Sequence, residues 1–256
     1  MTALDVFFSA DVEPDCPPYL STERGVTEGL PRLLELLAQE GVRATCFTTG
    51  DVARRHPGAV RDLLAGGHEL GAHGDTHARL DRLPADAVAA EIRRCTATLR
   101  AFAGVTSFRA PNLQLPDAAL DLLVVEGYRV DSSCARYKPW QGPPRQREGL
   151  QRLAVSQTSS VLRLPRLVRE AIWRRLATPV VLFVHPWEFV DLTHERLRLD
   201  CRFRTGEPAL RCLRETLRFF SARGARFRRL DELSPAPVAA GPTASAGEPA
   251  TPPARA

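Results

Sequence analysis

The sequence predicts an α/β chain in which parallel strands alternate with outer helices, as an open sheet or closed into a barrel. Three observations carry that prediction. Short β-rich runs recur between longer stretches of helical apolar spacing. The alternation repeats through about seven β–α units, a number that favours closure. The odd polar residues also fall at the carboxyl ends of the strands, where an α/β barrel gathers them on one rim.

In chain order, LDVFFSA (4–10) reads as a buried strand. TEGLPRLLELLAQEG (27–41) is a helix that closes on Gly41, and VRATCFTTG (42–50) a second strand. DVARRHPGAVRDLLAGG (51–67) reads as helical turns with Asp51 able to cap them, and HELGAH (68–73) as a short strand. PADAVAAEIRRCTATLRAFAG (84–104) has Pro84 at its first turn and Gly104 past its end, as a helix requires. TSFRAP (106–111) is a strand stopped by proline, 116–127 a helix and 128–133 a strand. Residues 134–160 read as loop, with one more strand within LQRLAVSQT (150–158). A helix is expected at 165–177, a strongly apolar strand at 179–189, a helix at 207–224 and a last strand and turn at 225–233. The barrel domain is thus expected over 1–233. The Pro/Ala-rich tail, 234–256, is expected to be disordered.

A chain of 256 residues with 44% hydrophobic content can bury a full core. It has no apolar run of the roughly eighteen residues needed to span a bilayer, so no integral membrane segment is expected. The opening MTALDVFFSAD has neither a basic region nor a cleavage signal, which makes a cytoplasmic location the default expectation. Six cysteines without a CxxC spacing read as free thiols; Cys16 lies near an acidic cluster. The formal charge of +5 divides into −4 over residues 1–139 and +9 over 140–256. A basic wall of that kind is usually a solvated face, and its functional reading is contact with a substrate phosphate. No recognition motif accompanies the charge, so nucleic acid is not expected as a partner.

Asp11 and Glu13 follow the first strand, His73 and His77 the third, Arg109 ends a fourth and His185 ends VVLFVH. Residues two apart on an extended segment point the same way, so Asp11 and Glu13 aim into one cavity while Val12 packs outward. His73 and His77, four apart, share a face if their segment turns helically. Two imidazoles and one carboxylate make a three-ligand set for a divalent ion, leaving a place for water. The other carboxylate is then free to act as general base, with Arg109 orienting it. His185 arrives from the far side to protonate a leaving amine. This is the equipment of a hydrolase for an amide or ester bond.

The same residues resemble the polysaccharide deacetylases, the NodB-homology or family 4 carbohydrate esterases, over most of 4–233. SADVEPD is similar to the family's acidic first motif, HGDTH to its H-(S/T)-x-x-H motif and RAP in FRAPN to its third. VDSS stands for the fourth, and VLFVHPWEF for the fifth. The resemblance implies a distorted (β/α)7 barrel and one divalent ion, most often zinc and sometimes cobalt. It implies Asp11 as base, His73 and His77 as ligands, His185 as acid, Arg109 holding the base and Asp131 tuning His185. The usual adjacent aspartates are replaced here by D-x-E, a spacing found in a subset of the family. Glu13 is therefore assigned to the metal and Asp11 to the base, the reverse being the alternative. The third motif lacks its trailing glycine, and Asn112 stands where an aromatic is common; its backbone N–H is the expected oxyanion donor. Trp187 and Glu188 are expected to line the acyl or sugar pocket, and Tyr137 and Trp140 to cover it from the long loop.

The resemblance implies removal of acetyl from an N-acetylated amino sugar or sugar-containing intermediate, with the basic C-terminal half suited to a substrate phosphate. The first alternative keeps the site but changes the bond, to a cyclic amide or ureide or to a formyl group on a lipid-linked aminosugar. The second is a non-catalytic carbohydrate-binding barrel.

Overall fold

A computed structural model describes residues 4–233; the tail expected to be disordered lies outside them. Eight parallel strands form one sheet: β1 (Leu4–Val12), β2 (Thr45–Thr48), β3 (Glu69–Ala72), β4 (Ser107–Phe108), β5 (Val130–Asp131), β6 (Gln151–Arg152), β7 (Val180–Val184) and β8 (Ala225–Arg228). Seven follow one path, β6-β5-β4-β3-β2-β1-β7, and β8 pairs with β1. Val6 and Phe7 pair with both β7 and β8, while Ser9 and Ala10 pair with both β7 and β2. A strand has two edges, so β8 and β2 share one edge of β1 in succession. The path curls until its ends touch: the Ser156 N–H donates to the Val181 carbonyl at 2.9 Å, and Ser156 Oγ accepts from the Val181 N–H at 2.9 Å. The result is a distorted α/β barrel.

Alternation along the strands sorts the core into two layers. Val6, Phe8, Ala10 and Val12 of β1 and Val180, Leu182 and Val184 of β7 face outward, into the core shared with the helices. Phe7 of β1, Phe47 of β2, Val130 of β5 and Val181 and Phe183 of β7 fill the barrel interior. Both faces are covered, which is why these strands read as unbroken apolar runs. The inward set of β1 continues from Phe7 to Ser9, Asp11 and Glu13, so the interior turns from apolar to ionic toward its carboxyl end. Gly71 of β3 sits where this interior is tightest: a Cβ there would lie 2.7 Å from the Phe47 ring.

The helices are α1 (Leu30–Gln39), α2 (Gly50–Arg55), α3 (Pro57–Ala65), α4 (Ala85–Arg100), α5 (Leu120–Val125), α6 (Arg166–Trp173), α7 (Leu199–Arg202) and α8 (Glu207–Ser221). Their buried stripes, such as Leu30, Leu33, Leu36 and Leu37 in α1, cover the outer face of the sheet. None is long and apolar enough to cross a membrane among the described residues. Several elements differ from the sequence reading. The turns expected over 51–67 are two helices, because Pro57 disfavours a helical conformation at His56 (φ −126°, ψ 58°). Thr49, not Asp51, caps the first of them, accepting from the Val52 N–H at 3.2 Å. The strand expected at 179–189 ends at Val184, and Pro186–Phe189 form a 3-10 turn.

The amino end of the barrel carries a buried acid with a measurable consequence. Glu69 accepts from Thr45 Oγ1 at 2.5 Å and from the Asp231 N–H at 3.0 Å. Burial and the neighbouring Asp231 charge push its carboxyl up to about 7. A pKa raised on folding adds stability below the unfolded value near 4.5, and that stability is lost as pH rises through about 7. Glu69→Gln keeps an acceptor oxygen and removes the charge. It should leave thermal stability at pH 5 nearly unchanged and raise it at pH 8.5 by about 2 kcal/mol. Melting curves of both proteins at the two pH values check this, and equal curves at pH 8.5 would count against it.

Candidate metal and catalytic site

The carboxyl ends of β1, β3, β4 and β7 bring the polar residues to one cavity of about 340 Å3, within the ~300–1,000 Å3 usual for small-molecule sites. Glu13 stands at its centre, buried, with Oε2 2.6 Å from His77 Nε2 and 3.2 Å from His73 Nε2. Its Oε1 accepts from Trp187 Nε1 at 3.3 Å and lies 3.8 Å from His185 Nε2. Ligand atoms of Glu13, His73 and His77 all fall within 4.8 Å of one another. His73 Nδ1 is 2.8 Å from the Arg109 carbonyl, which can only accept. The Nδ1 proton is thereby fixed, and in the neutral ring Nε2 presents its lone pair to Glu13 and His77. Burial alone would raise the Glu13 carboxyl, but the His77 and His185 charges and the hydrogen bond from His77 hold it well below the usual carboxylate range.

The two histidines do not meet through a helical turn. Residues 73–79 form an irregular loop, with Gly74 at φ +74° and His77 at φ +64°. The left-handed step at Gly74 is one glycine takes without strain, and it turns His77 back toward Glu13.

Asp11 is kept apart from this cluster by Arg109, whose Nη1 donates to Asp11 Oδ1 at 2.6 Å. Arg109 is fully buried and all three guanidinium nitrogens are used. Nη1 also reaches Ser9 Oγ at 2.9 Å, Nη2 reaches Ser132 Oγ at 2.9 Å and Nε reaches the Ser132 carbonyl at 3.2 Å. Its plane lies over the Phe47 ring, 4.2 Å from the centroid. Of the two carboxylates, Glu13 is the one among imidazoles and Asp11 the one locked to a cation.

His185 enters from β7 by the same alternation that turns Val181 and Phe183 inward. Its ring stacks on Trp187 at 4.6 Å, and Nδ1 lies 2.9 Å from Glu188 Oε1, which also accepts the His185 N–H at 3.0 Å. Glu188 Oε2 is paired with Arg163 Nε at 2.9 Å, both side chains being almost wholly buried. Burial pulls the His185 ring down, but the Glu13 and Glu188 carboxylates outweigh it and push it up to about 9.

Two expected site residues are corrected here. Asp131 does not reach His185. On β5 the inward positions are Val130, in the interior core, and Ser132, bonded to Arg109, so Asp131 points to the opposite face. There it pairs with Arg152 Nε at 2.8 Å and accepts from Ser133 Oγ, which itself accepts from the Ala110 N–H at 2.8 Å. It steadies the turn after Arg109. Glu188, expected only to line the pocket, takes the place beside His185. Trp140 does not cover the cavity: it is 73% exposed on the 3-10 turn Pro139–Gln141 and borders a separate groove with Pro143 and Arg145. Tyr137, Asn112 and Trp187 do line the cavity. Asp15, the other nearby acid, is spent on the Gly25 N–H at 2.7 Å and the Arg24 N–H at 2.8 Å. Arg163 and the cavity-lining Arg79 and Lys138 had no local signal in the sequence beyond their charge.

A family model described as polysaccharide deacetylase matches residues 14–130. Among solved structures, a putative polysaccharide deacetylase from Mycobacterium smegmatis shares 21% identity at a TM-score of 0.68, over 90% of this chain and 88% of that one. The Bc1960 peptidoglycan N-acetylglucosamine deacetylase shares 17% at 0.63, over 91% and 89%. BA3943, a family 4 carbohydrate esterase pseudoenzyme from Bacillus anthracis, shares 15% at 0.61, over 91% and 66%. Residues 14–130 are thus similar to the polysaccharide deacetylases, and the solved structures share the barrel fold of this chain. The matched segment includes His73, His77 and Arg109 but begins after Glu13 and ends before His185.

Proposed function

We propose that the protein is a metal-dependent hydrolase that removes an N-acetyl group from an amino sugar or a sugar-containing intermediate. The observation that carries this reading is the division of labour between two buried carboxylates: Glu13 faces His73 and His77, and Asp11 is bound to Arg109. One carboxylate oxygen and two imidazole nitrogens, one with its outer proton anchored on a carbonyl, suit a divalent ion, and zinc is the ion such a set most often takes. Glu13, His73 and His77 would hold it; when bound it supplies Lewis-acid polarisation of the acyl oxygen and lowers the pKa of water at the site.

The chain's own groups do the rest. Asp11, oriented by Arg109, accepts the proton of the attacking water through the oxygen not bound to the guanidinium. His185 Nε2 faces the cavity and gives a proton to the leaving nitrogen, while Glu188 fixes the ring at Nδ1 and Arg163 balances Glu188. The Asn112 N–H serves as oxyanion donor. Trp187 and Tyr137 form walls against the sugar and acyl group. The N-acetyl substrate named for the Bc1960 relative supports the choice of bond.

The test is product analysis. Purified protein, loaded with zinc or cobalt, is offered UDP-N-acetylglucosamine, chitooligosaccharides and hydantoin-like compounds. Release of acetate is expected. Formate or a ring-opened product would move the reading to another C–N bond at the same site. Sugar binding that is equal before and after chelation, with nothing released, would make the barrel a binding module like a pseudoenzyme.

A further inference from the structure

Lys138 is the only lysine in the sequence, every other basic side chain of the Lys+Arg set being arginine, and it lines the catalytic cavity. The cavity's other cations have carboxylate partners. Arg79 is held by Asp81 through Nε at 2.7 Å and Nη2 at 2.6 Å, Arg163 by Glu188 and Arg198 by Asp200 at 2.8 Å. The cavity's own carboxylates are likewise engaged: Asp11 by Arg109, Glu13 by imidazoles and Asp200 by Arg198. Among the described residues Lys138 makes no ion pair, and the carboxylate whose charge reaches it, Asp81, is already held by Arg79. Its Nζ donates to the Asn112 carbonyl at 2.6 Å, leaving two of three N–H donors without a protein acceptor.

That carbonyl is aimed by an unusual turn. Asn112 and Leu113 both take left-handed backbone angles, φ +57° and +54°, a conformation that costs energy outside glycine. The turn therefore ties the ammonium to the segment that carries the proposed oxyanion donor. Arg79 lies close enough for its charge, after burial, to depress the Lys138 pKa. Asp81 balances one of these two positive charges, and Arg79 Nη1 remains unspent. Two neighbouring cations with free donors at a cavity wall are complementary to an anionic group.

We propose that Lys138 and Arg79 form an anion subsite of the catalytic cavity, and that the substrate carries a phosphate or a carboxylate which binds there. The inference rests on the hydrolase reading only for the other end of the substrate. It predicts selection of a charged amino sugar over its neutral counterpart.

A sole lysine makes the test direct. An amine-reactive reagent labels Lys138 as the single side-chain amine, with the N-terminal amine as internal control, and mass spectrometry reads the rate. Metal-loaded protein is labelled alone and with N-acetylglucosamine, N-acetylglucosamine 1-phosphate or N-acetylmuramic acid. Labelling should slow by about tenfold with an anionic sugar at saturation and change little with the neutral one. The phosphate and carboxylate arms identify which anion is preferred, and Arg79→Ala should weaken the protection. In turnover, Lys138→Gln should raise KM for the preferred anionic sugar by about tenfold relative to the neutral sugar, with Lys138→Arg recovering part of the loss. Equal protection by all three sugars, no protection by either anionic one, or a KM rise shared equally by neutral and charged substrates would overturn the subsite. Failure to release acetate from any sugar would instead count against the hydrolase reading, because the labelling rates still decide whether the anion binds.

Discussion

Asp11→Asn should keep its metal and lose turnover by about 10²–10⁴-fold, the range of a positioned general base. The substituted side chain has nearly the same shape, and its amide oxygen can still accept from Arg109 Nη1, so the cavity geometry is preserved. What it lacks is the capacity to take a proton. Arg109 is buried, and losing its counter-charge will cost some stability. Ser9, Ser132 and the face of Phe47 remain to hold the guanidinium in place. Metal content and circular dichroism measured beside kcat separate loss of chemistry from loss of fold. Full activity in this variant would show that the roles of Asp11 and Glu13 had been wrongly divided.

His73→Ala should release the metal, weakening its binding by more than about 100-fold, beyond what loss of an outer-shell partner alone costs. In the proposed site His73 supplies one of the two imidazole donors, and its ring is fixed at both ends, by the Arg109 carbonyl and toward Glu13. Neither neighbouring carboxylate can replace it, since Asp15 is engaged with backbone N–H groups and Asp11 with Arg109. Elemental analysis after dialysis reads the result: near one divalent ion per chain for the parent protein and a small fraction of that for the variant. An unchanged metal content would place the ion elsewhere.

Much of this arrangement was legible from period-two patterning. The inward register of LDVFFSADVE carries Phe7, Ser9, Asp11 and Glu13 in order, and that of VVLFVH carries Val181, Phe183 and His185, so the convergence of distant polar groups followed from strand parity. The same rule, applied to YRVDSS, separates Asp131 from the interior that Val130 and Ser132 face. The similarity to a family motif pointed the other way there, and the backbone geometry decided it. Glu188 was within reach of sequence reasoning: three residues after His185, on a turn opened by Pro186, it is placed to accept from the His185 ring and backbone. The HGDTH loop was harder, because four-residue spacing suggests a helix and the left-handed steps at Gly74 and His77 depend on tertiary contact with Glu13. The exposed setting of Trp140 and the arrival of Arg163 and Lys138 at the cavity were set by long connections with no periodicity to read.

In the proposed site Glu13, His73 and His77 hold one divalent cation while Asp11 stays free of it. A crystal of the zinc-loaded protein, measured on both sides of the zinc absorption edge, tests this most directly. The expected result is one anomalous peak about 2.0–2.2 Å from a Glu13 oxygen and from Nε2 of each histidine, with Asp11 still bound to Arg109. A peak bonded to Asp11 in place of Glu13, or none between the imidazoles, would contradict it.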